Sequence, residues 1–279
     1  MELQYTQIIN RALAEDIVTK DITTSSLLSK NQIGSATIKA KERGIIAGTL
    51  IAKEVFLKVD SKLNITTLIN DGAQVQPGDK IMRLEGRITS ILKAERVALN
   101  FLQHLSGIAT KTAQYVEAVK DLPVTITDTR KTIPGLRVLE KNAVRSGGGK
   151  NHRMNLGDGI LIKDNHIKAL QNHALTIKDI VDKIRRKNIN NLKVEIEVKN
   201  IQEATEAIDA KADIIMLDNM NVEEMRKVVQ INKCHSLIEA SGGITLENIR
   251  PIAESGVNFI SIGALTHSAK ALDINLKLD

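Results

Sequence analysis

From about residue 123 the chain repeats one alternation six times: a short run rich in Ile and Val, then a stretch with helical spacing. The runs are PVTITDT (123–129), GILIK (159–163), LKVEIEV (192–198), ADIIMLD (212–218), SLIEAS (236–241) and VNFISIG (257–263). Between the later ones lie LTIKDIVDKIRRKN, IQEATEAIDAK, NVEEMRKVVQINK and TLENIRPIAESG, each amphipathic at a 3.6-residue period. Strands joined through helices run parallel, and a parallel sheet must be covered. Six strands rather than eight suggest a barrel with fewer strands than usual, or an open sheet.

The first 110 residues lack this alternation. A helix (LQYTQIINRALAED) precedes the segments SATIKAKERGIIAG, LNITTLIN and DGAQVQPGDKIMRLEG, followed by two expected helices, ITSILKAERVALNFLQHL and ATKTAQYVEAVK. The mixture predicts a separate α+β domain. DGAQVQPGDK has no lysine at a hairpin tip, so it reads as an ordinary sheet turn rather than a lipoyl- or biotin-type hairpin. The expected boundaries are 1–110 for this domain and 111–269 for the β/α part, with a strand in 270–279 (within ALDINLKLD) returning to the first domain.

In parallel α/β folds ligands collect where the strands end, because the following loops and helix starts point their N–H groups there. Here the strand ends carry a sequence of chemistries. The first delivers Thr129, Arg130 and Lys131; the second delivers Lys163, then Asp164-Asn165-His166. The third ends in Glu197, the fourth in Asp218, the fifth in Ser241-Gly242-Gly243 and the sixth in Gly263. Glycines allow backbone N–H groups to approach a phosphate, and Ser241-Gly242-Gly243 precedes a helical pattern whose dipole would add attraction. Carboxylates on adjacent strands suit Mg²⁺ shared with substrate phosphates, or pairing with a lysine such as Lys163. Glu195 falls on the same side of its strand as Glu197 but lies deeper.

The anion-binding theme extends into DTRKTIPGLRVLEKNAVRSGGGKNHR (128–153). Between Arg130 and Arg153 it holds seven Lys/Arg side chains and His152 against one acid, Glu140, around the run Gly147–Gly149. Arg130 and Arg153 suit planar carboxylates, which a guanidinium can grip with two parallel bonds. His152 reads either with them or as a satisfied buried histidine. Arg137, Lys141, Arg145 and Lys150 are expected on a solvated helix face or in ion pairs. The net charge of +6 favours anionic partners, while 2% aromatics argue against stacking on single-stranded nucleic acid. One cysteine, Cys234, excludes an internal disulfide and fits a reducing cytoplasm; with His235 alone it makes a poor metal site. No apolar run reaches the ~20 residues of a membrane span, and the start lacks a signal peptide's layout. A soluble, cytoplasmic protein is expected.

With these residues in place, the sequence resembles the quinolinate phosphoribosyltransferases. The matching stretches are ERVALNFLQHLSGIAT, the 128–153 segment, LIKDNHI, EIEV, IMLDN, EASGGIT and ISIGALTHS, spread over nearly the whole chain. The resemblance implies an N-terminal α/β sandwich, an incomplete six-stranded β/α barrel, and assembly as a homodimer or larger. It implies transfer of phosphoribosyl from phosphoribosyl pyrophosphate to quinolinate, releasing pyrophosphate and CO₂ and giving nicotinate mononucleotide. Arg130, His152, Arg153 and Lys163 would hold the quinolinate carboxylates, with Thr129 beside them. Lys131 would face the reacting centre or pyrophosphate. Glu197 and Asp218 would serve the ribose hydroxyls and Mg²⁺, and Ser241 to Gly243 with Gly263 the 5′-phosphate. Arg96 would reach a neighbouring chain's quinolinate. The resemblance assigns catalytic parts to Lys131, Lys163, Glu197 and Asp218. Ser146 and Lys150 stand where relatives often carry a small residue or Cys and a His. Other readings are a relative using nicotinate or another small acid, as in the molybdenum-transport-associated proteins, or a non-catalytic anion- or nucleic-acid-binding protein. The intact KNHR and KDNHI segments favour quinolinate.

Overall fold

A computed structural model describes residues 2–17, 19–171, 175–187, 190–233 and 236–279; Cys234 and His235 lie outside them. The chain forms two compact units, one of residues 1–113, 132–148 and 265–279, the other of 114–131 and 149–264. In chain order the elements begin α1 (Glu2–Asp16), α2 (Ile22–Leu27), β1 (Ile33–Ala40), β2 (Gly44–Ile45), α3 (Thr49–Val59), β3 (Asn64–Thr67), β4 (Gln74–Val75) and β5 (Lys80–Arg87). There follow α4 (Ile88–Ala118), β6 (Thr125–Thr127), α5 (Arg137–Ser146), β7 (Ile160–Ile162), α6 (Asp164–Gln171), α7 (Ile177–Lys187), β8 (Val194–Val198) and α8 (Ile201–Asp209). The last are β9 (Ile214–Asp218), α9 (Val222–Ile231), β10 (Leu237–Ser241), α10 (Ile249–Ala253), β11 (Phe259–Ser261), α11 (Ala264–His267) and β12 (Ile274–Leu278).

The first unit is built on an antiparallel sheet of order β12-β1-β5-β3, with β2 and β4 paired separately. On β1, Ala36, Ile38 and Ala40 are fully buried, and Ala36 and Ile38 stand opposite buried Leu84 and Met82 of β5. That period of two gives the sheet one apolar face. β12 pairs with the other edge of β1, Ile38 opposite Leu276. Helix α3, which the sequence reading did not pick out, buries Ile51, Ala52, Val55 and Phe56.

Two expectations fail in this unit. The break foreseen at Ser106-Gly107 does not occur: α4 is one helix of 31 residues. Gly107 serves packing there. A Cβ on it would lie 2.1 Å from the carbonyl oxygen of Lys270, and Ser106 Oγ takes the Ala47 N–H at 3.0 Å. Lys141, expected on a solvated helix face or in an ion pair, is fully buried, which excludes the solvated face; Glu140 next to it is buried too. Glu140 accepts from the Ile133 N–H at 3.2 Å and sits 2.9 Å from His104 Nε2. The one acid of the cationic segment is therefore spent on structure.

The second unit is the β/α part, and all six expected strands form. Its sheet runs β6-β11-β10-β9-β8-β7, every pair parallel, as a partial barrel. Alternation splits each strand between two faces. Val194, Ile196, Val198, Ile215, Leu217, Ile238, Ala240 and Ile260 are buried on the helix side with Ile180 and Val181 of α7, Ala204 and Ala207 of α8, and Met225 and Val228 of α9. Asn200 caps α8, and Asn221 with Glu224 forms a capping box on α9, satisfying N–H groups that open each helix. The other face carries Glu195, Glu197, Asp218, Glu239, Ser241, Ser261 and Thr127. A parallel sheet normally buries aliphatics on both faces, so this polar interior marks the functional side.

Replacing Gly107 with alanine tests the reading of α4. Helix propensity alone favours alanine by roughly 1 kcal/mol. The clash with the Lys270 backbone should reverse the sign and destabilise the protein by about 1–3 kcal/mol, read from urea unfolding. An increase in stability would mean the helix does not need glycine there.

Candidate active site at the strand ends

The parallel register aligns one rung across four strands: Asp218, Ser241, Ser261 and Thr127 are consecutive neighbours on β9, β10, β11 and β6. Glu197, on β8, stands two residues below that level, opposite Met216. These are the C-terminal strand ends, where the following loops supply the rest of the site.

The cationic wall begins at β6. Asp128 directly follows it and is fully buried. It accepts the His152 N–H at 2.9 Å and the Asn151 side-chain amide at 2.6 Å. Lys150 and Asp128 exchange backbone bonds with this edge: Lys150 N–H to the Ile126 carbonyl at 2.9 Å, and Asp128 N–H to the Lys150 carbonyl at 3.1 Å. The chain after the glycine run is thereby laid along β6, and His152 and Arg153 are brought to the strand end that also delivers Arg130. Thr129 Oγ1 accepts the Lys131 N–H at 3.0 Å, setting the turn that carries both cations. Arg153 is half-buried and donates from Nη1 to the Gly159 carbonyl at 3.0 Å. Burial first, and the Arg130 charge second, push its guanidinium below the usual value, with Glu195 acting against them.

His152 Nδ1 accepts the Arg153 N–H at 2.8 Å, and Nε2 faces Glu195 at 3.1 Å and Glu239 at 3.7 Å. Burial pushes the Glu239 carboxyl up to about 7, with repulsion from Glu195 adding to it and His152 and Ser261 opposing.

On the facing strands Lys163 Nζ lies 3.5 Å from Glu197 Oε2. Glu197 is 8% exposed, and burial raises its carboxyl against the pull of Lys163, with Asp218 and Asp164 repelling it. Asp164 is tied instead to Lys199 at 2.7 Å. Lys163 N–H donates to His166 Nδ1 at 2.9 Å, turning the chain into α6. Asp218 accepts from the Asn219 side chain at 3.0 Å. Two hard carboxylates on neighbouring strands, one buried and repelled by the other, fit a divalent cation that would relieve the repulsion.

The fifth strand end differs from expectation in one respect. Gly242 and Gly243 have φ of +91° and +62°, but α10 starts only at Ile249 and is five residues long. Asn248 takes the Thr245 N–H and donates to the Gly243 carbonyl, both at 2.8 Å, forming a turn where the helix was expected. No helix dipole acts on these glycines; the loop's own shape does. A Cβ at Gly242 would come within 2.4 Å of Asn219 Oδ1, so the loop is pressed against the end of β9. Gly263 precedes α11 directly.

The strand-end residues Thr129, Arg130, Lys131, His152, Arg153, Lys163, Glu197, Asp218, Ser241, Gly242, Gly243 and Gly263 all fall in the second unit. Arg96 falls in the first, exposed on α4. Sequence reasoning passed over Asp128 and Glu239, and set Glu195 aside as too deep. The alternation VEIEV signals Glu195, whereas Glu239 in LIEAS has no second charge beside it to signal it. A cavity of about 570 Å³ lies elsewhere, against Ile160 and Ile162 of β7 and Ile180 and Ile184 of α7. Set on the face of β7 opposite Leu161, it is also lined by His166, Lys183, Lys187 and Asn190, and it contains none of Arg130, Lys131, Lys163, Glu197 and Asp218.

Family profiles match almost the whole chain: "Quinolinate phosphoribosyl transferase, N-terminal domain" over residues 21–106 and the corresponding C-terminal domain over 108–277. A probable carboxylating nicotinate-nucleotide pyrophosphorylase of Bacillus subtilis is 43% identical over 98% of this chain and 93% of its own length. A mitochondrial decarboxylating quinolinate phosphoribosyltransferase of Nicotiana tabacum is 41% identical over 98% of this chain and 82% of its own. Among solved structures, a nicotinate-nucleotide pyrophosphorylase from Francisella tularensis superposes with a TM-score of 0.92 at 41% identity, covering 99% of this chain and 96% of that one. NadC from Streptococcus pyogenes gives 0.94 at 39%, with 99% and 96% covered. Charged strand ends on a six-stranded partial barrel and these likenesses agree: the chain belongs to the quinolinate phosphoribosyltransferase family.

Proposed function

We propose that this chain transfers phosphoribosyl from phosphoribosyl pyrophosphate to the quinolinate nitrogen with loss of CO₂, a step of NAD biosynthesis, and that the strand ends carry the reaction. The observation that supports this most directly is the division of charge around the sheet. Cations follow β6 and β7, carboxylates end β8 and β9, and a tight glycine loop follows β10. A dicarboxylate and a polyphosphate repel each other, and a cationic wall facing a metal-competent pair of carboxylates brings them together.

In this reading Arg130, Arg153 and Lys163 take the quinolinate carboxylates, with Thr129 and His152 lining the same wall. Lys131 faces the pyrophosphate, and the Ser241–Gly243 and Gly263 loops take the 5′-phosphate. Glu197 and Asp218 meet the ribose hydroxyls and hold Mg²⁺, which when bound would neutralise charge developing on the departing pyrophosphate. The residues' own contribution is orientation: the pyridine nitrogen is held in line with the leaving group, and positioned charge stabilises an oxocarbenium-like transition state. Once the nitrogen carries a positive charge, it accepts the electron pair left as the adjacent carboxylate departs as CO₂. A single cysteine and a net positive charge support a cytoplasmic enzyme with anionic small-molecule substrates; no helix among the described residues is long and apolar enough to cross a membrane.

A quinolinate-dependent pyrophosphate-release assay, with CO₂ measured alongside, tests the reaction. Turnover with nicotinate and none with quinolinate would overturn it. Within that assay Arg153→Ala removes a charge-assisted carboxylate contact worth ~1.5–3 kcal/mol, so quinolinate should bind roughly 10- to 100-fold more weakly. Calorimetry should show much less change for phosphoribosyl pyrophosphate.

Turnover should require Mg²⁺, and Asp218→Asn should abolish it or weaken its dependence on the metal. Full activity in excess chelator removes the metal from the reaction.

Arg96 belongs to this proposal through the resemblance: exposed on α4, it would reach the quinolinate of a neighbouring chain in a homodimer. Arg96→Ala and Lys163→Ala chains should each be inactive and folded. Mixing them with subunit exchange should restore about one working site per mixed dimer, since one site then combines an intact barrel with an intact donated arginine. Mixed dimers that stay inactive would show that Arg96 acts elsewhere.

A further inference from the structure

The most unusual chemistry outside the substrate-facing residues lies beneath them. His152 Nε2 and carboxylate oxygens of Glu195 and Glu239 all lie within 4.8 Å of one another, and both acids are almost wholly buried, at 4% and 2% exposed. Glu239 Oε1 has no hydrogen-bond partner. Two carboxylates that close in a buried interior cannot both stay charged without a compensating cation or proton.

The two possibilities differ at the imidazole. A metal ion among these groups needs the Nε2 lone pair, which places the ring proton on Nδ1. Here Nδ1 is already an acceptor, taking the Arg153 N–H at 2.8 Å. The proton of the neutral ring therefore sits on Nε2 and points at Glu195, 3.1 Å away. A donor N–H aimed between the carboxylates repels a cation, so a proton resolves the charge.

We propose that Glu195 and Glu239 are positioning residues: Glu239 carries the proton that their close buried contact requires, and together they hold His152 as a neutral imidazole with its proton on Nε2. The assignment rests on the quinolinate reading of the site and says how that site is held. With Nε2 fixed from below, Nδ1 is presented to the Arg153 main chain, and Arg153 is pinned from its side chain by the Gly159 carbonyl. Glu195 also favours the charge on Arg153, against the pressure of burial and of the neighbouring Arg130. Holding Glu239 neutral matters for binding, because a second negative charge under this wall would oppose a dianion. The groups facing Glu239 are Glu195 on β8, His152 on the segment along β6, and Ser261 on β11, with Arg153 and Arg130 beyond. Burial and Glu195 favour the neutral acid; His152 and Ser261 favour the charged one.

Two measurements on the intact protein test this. The ¹⁵N spectrum of the His152 ring, assigned by its loss in His152→Gln, should show one protonated nitrogen, Nε2, and one unprotonated at neutral pH. A doubly protonated ring, an Nδ1–H tautomer, or a shift of these signals on adding Zn²⁺ or Mn²⁺ would overturn the proposal. Second, the wild-type KM for quinolinate should climb several-fold from pH 6 to pH 8.5 as Glu239 ionises, while in Glu239→Gln it stays level. Parallel profiles for the two proteins would also overturn it. Absence of wild-type turnover would instead refute the quinolinate reading, and the ring spectrum would still decide the tautomer.

Discussion

The carboxylate of Asp128 is the contact on which the cationic half of the site depends. It is fully buried just beyond β6, and a charge there is tolerable only if saturated with donors. Those donors come from Asn151 and His152, residues more than twenty positions along the chain. One carboxylate thus does two things at once. It satisfies its own burial, and it fastens the stretch after the glycine run alongside β6, so that residues from two distant segments meet at one strand end. Without it His152 and Arg153 would sit on a loop, free to leave the rung formed by Thr127, Ser261, Ser241 and Asp218.

Charge balance governs the rest of the barrel interior in the same way. Two cations of the wall have an acid below or opposite them: Lys163 faces Glu197 at 3.5 Å, and Arg153 has Glu195 behind it. None of these pairs is tight. A loose pair keeps a cation in place while leaving its hydrogen-bonding capacity for a ligand, whereas a close one such as Lys199 with Asp164 at 2.7 Å is committed. These strand-end cations are thus preorganised without being neutralised, which suits the proposed role in orientation and electrostatics.

Much of this was legible in the sequence because parallel strands write their period and their ends plainly. The six Ile/Val runs gave the sheet, and reading what followed each run gave the charges and glycines that stand at its strand ends. What stayed hidden has physical reasons. Glu239 looks like a single polar residue in an apolar run, and only the fold shows that it meets Glu195 from a strand two places away. Lys141 and Glu140 look like surface charge on a helix, yet both are interior. Ser106-Gly107 reads as a break, but glycine there answers to a neighbouring backbone, not to the helix. The helix expected directly after Gly243 starts only at Ile249, because Asn248 offers the chain a turn, bonding Thr245 and Gly243 in place of a helical first turn.

The pairing of β12 with β1 has a consequence for how the molecule comes into being. The Thr37 hydroxyl donates to the Asp279 carboxylate across 242 positions of sequence. On a ribosome, which emits the chain in order, the edge of β1 waits open while the whole β/α unit is being made. That unit, by contrast, is drawn from the nearby stretches Gln114–Lys131 and Gly149–Ala264 and can settle as it emerges. Biosynthesis therefore runs inside out: the portion encoded first is the last to close, and its uncovered strand edge must be shielded from other nascent chains until translation reaches Ile274–Leu278.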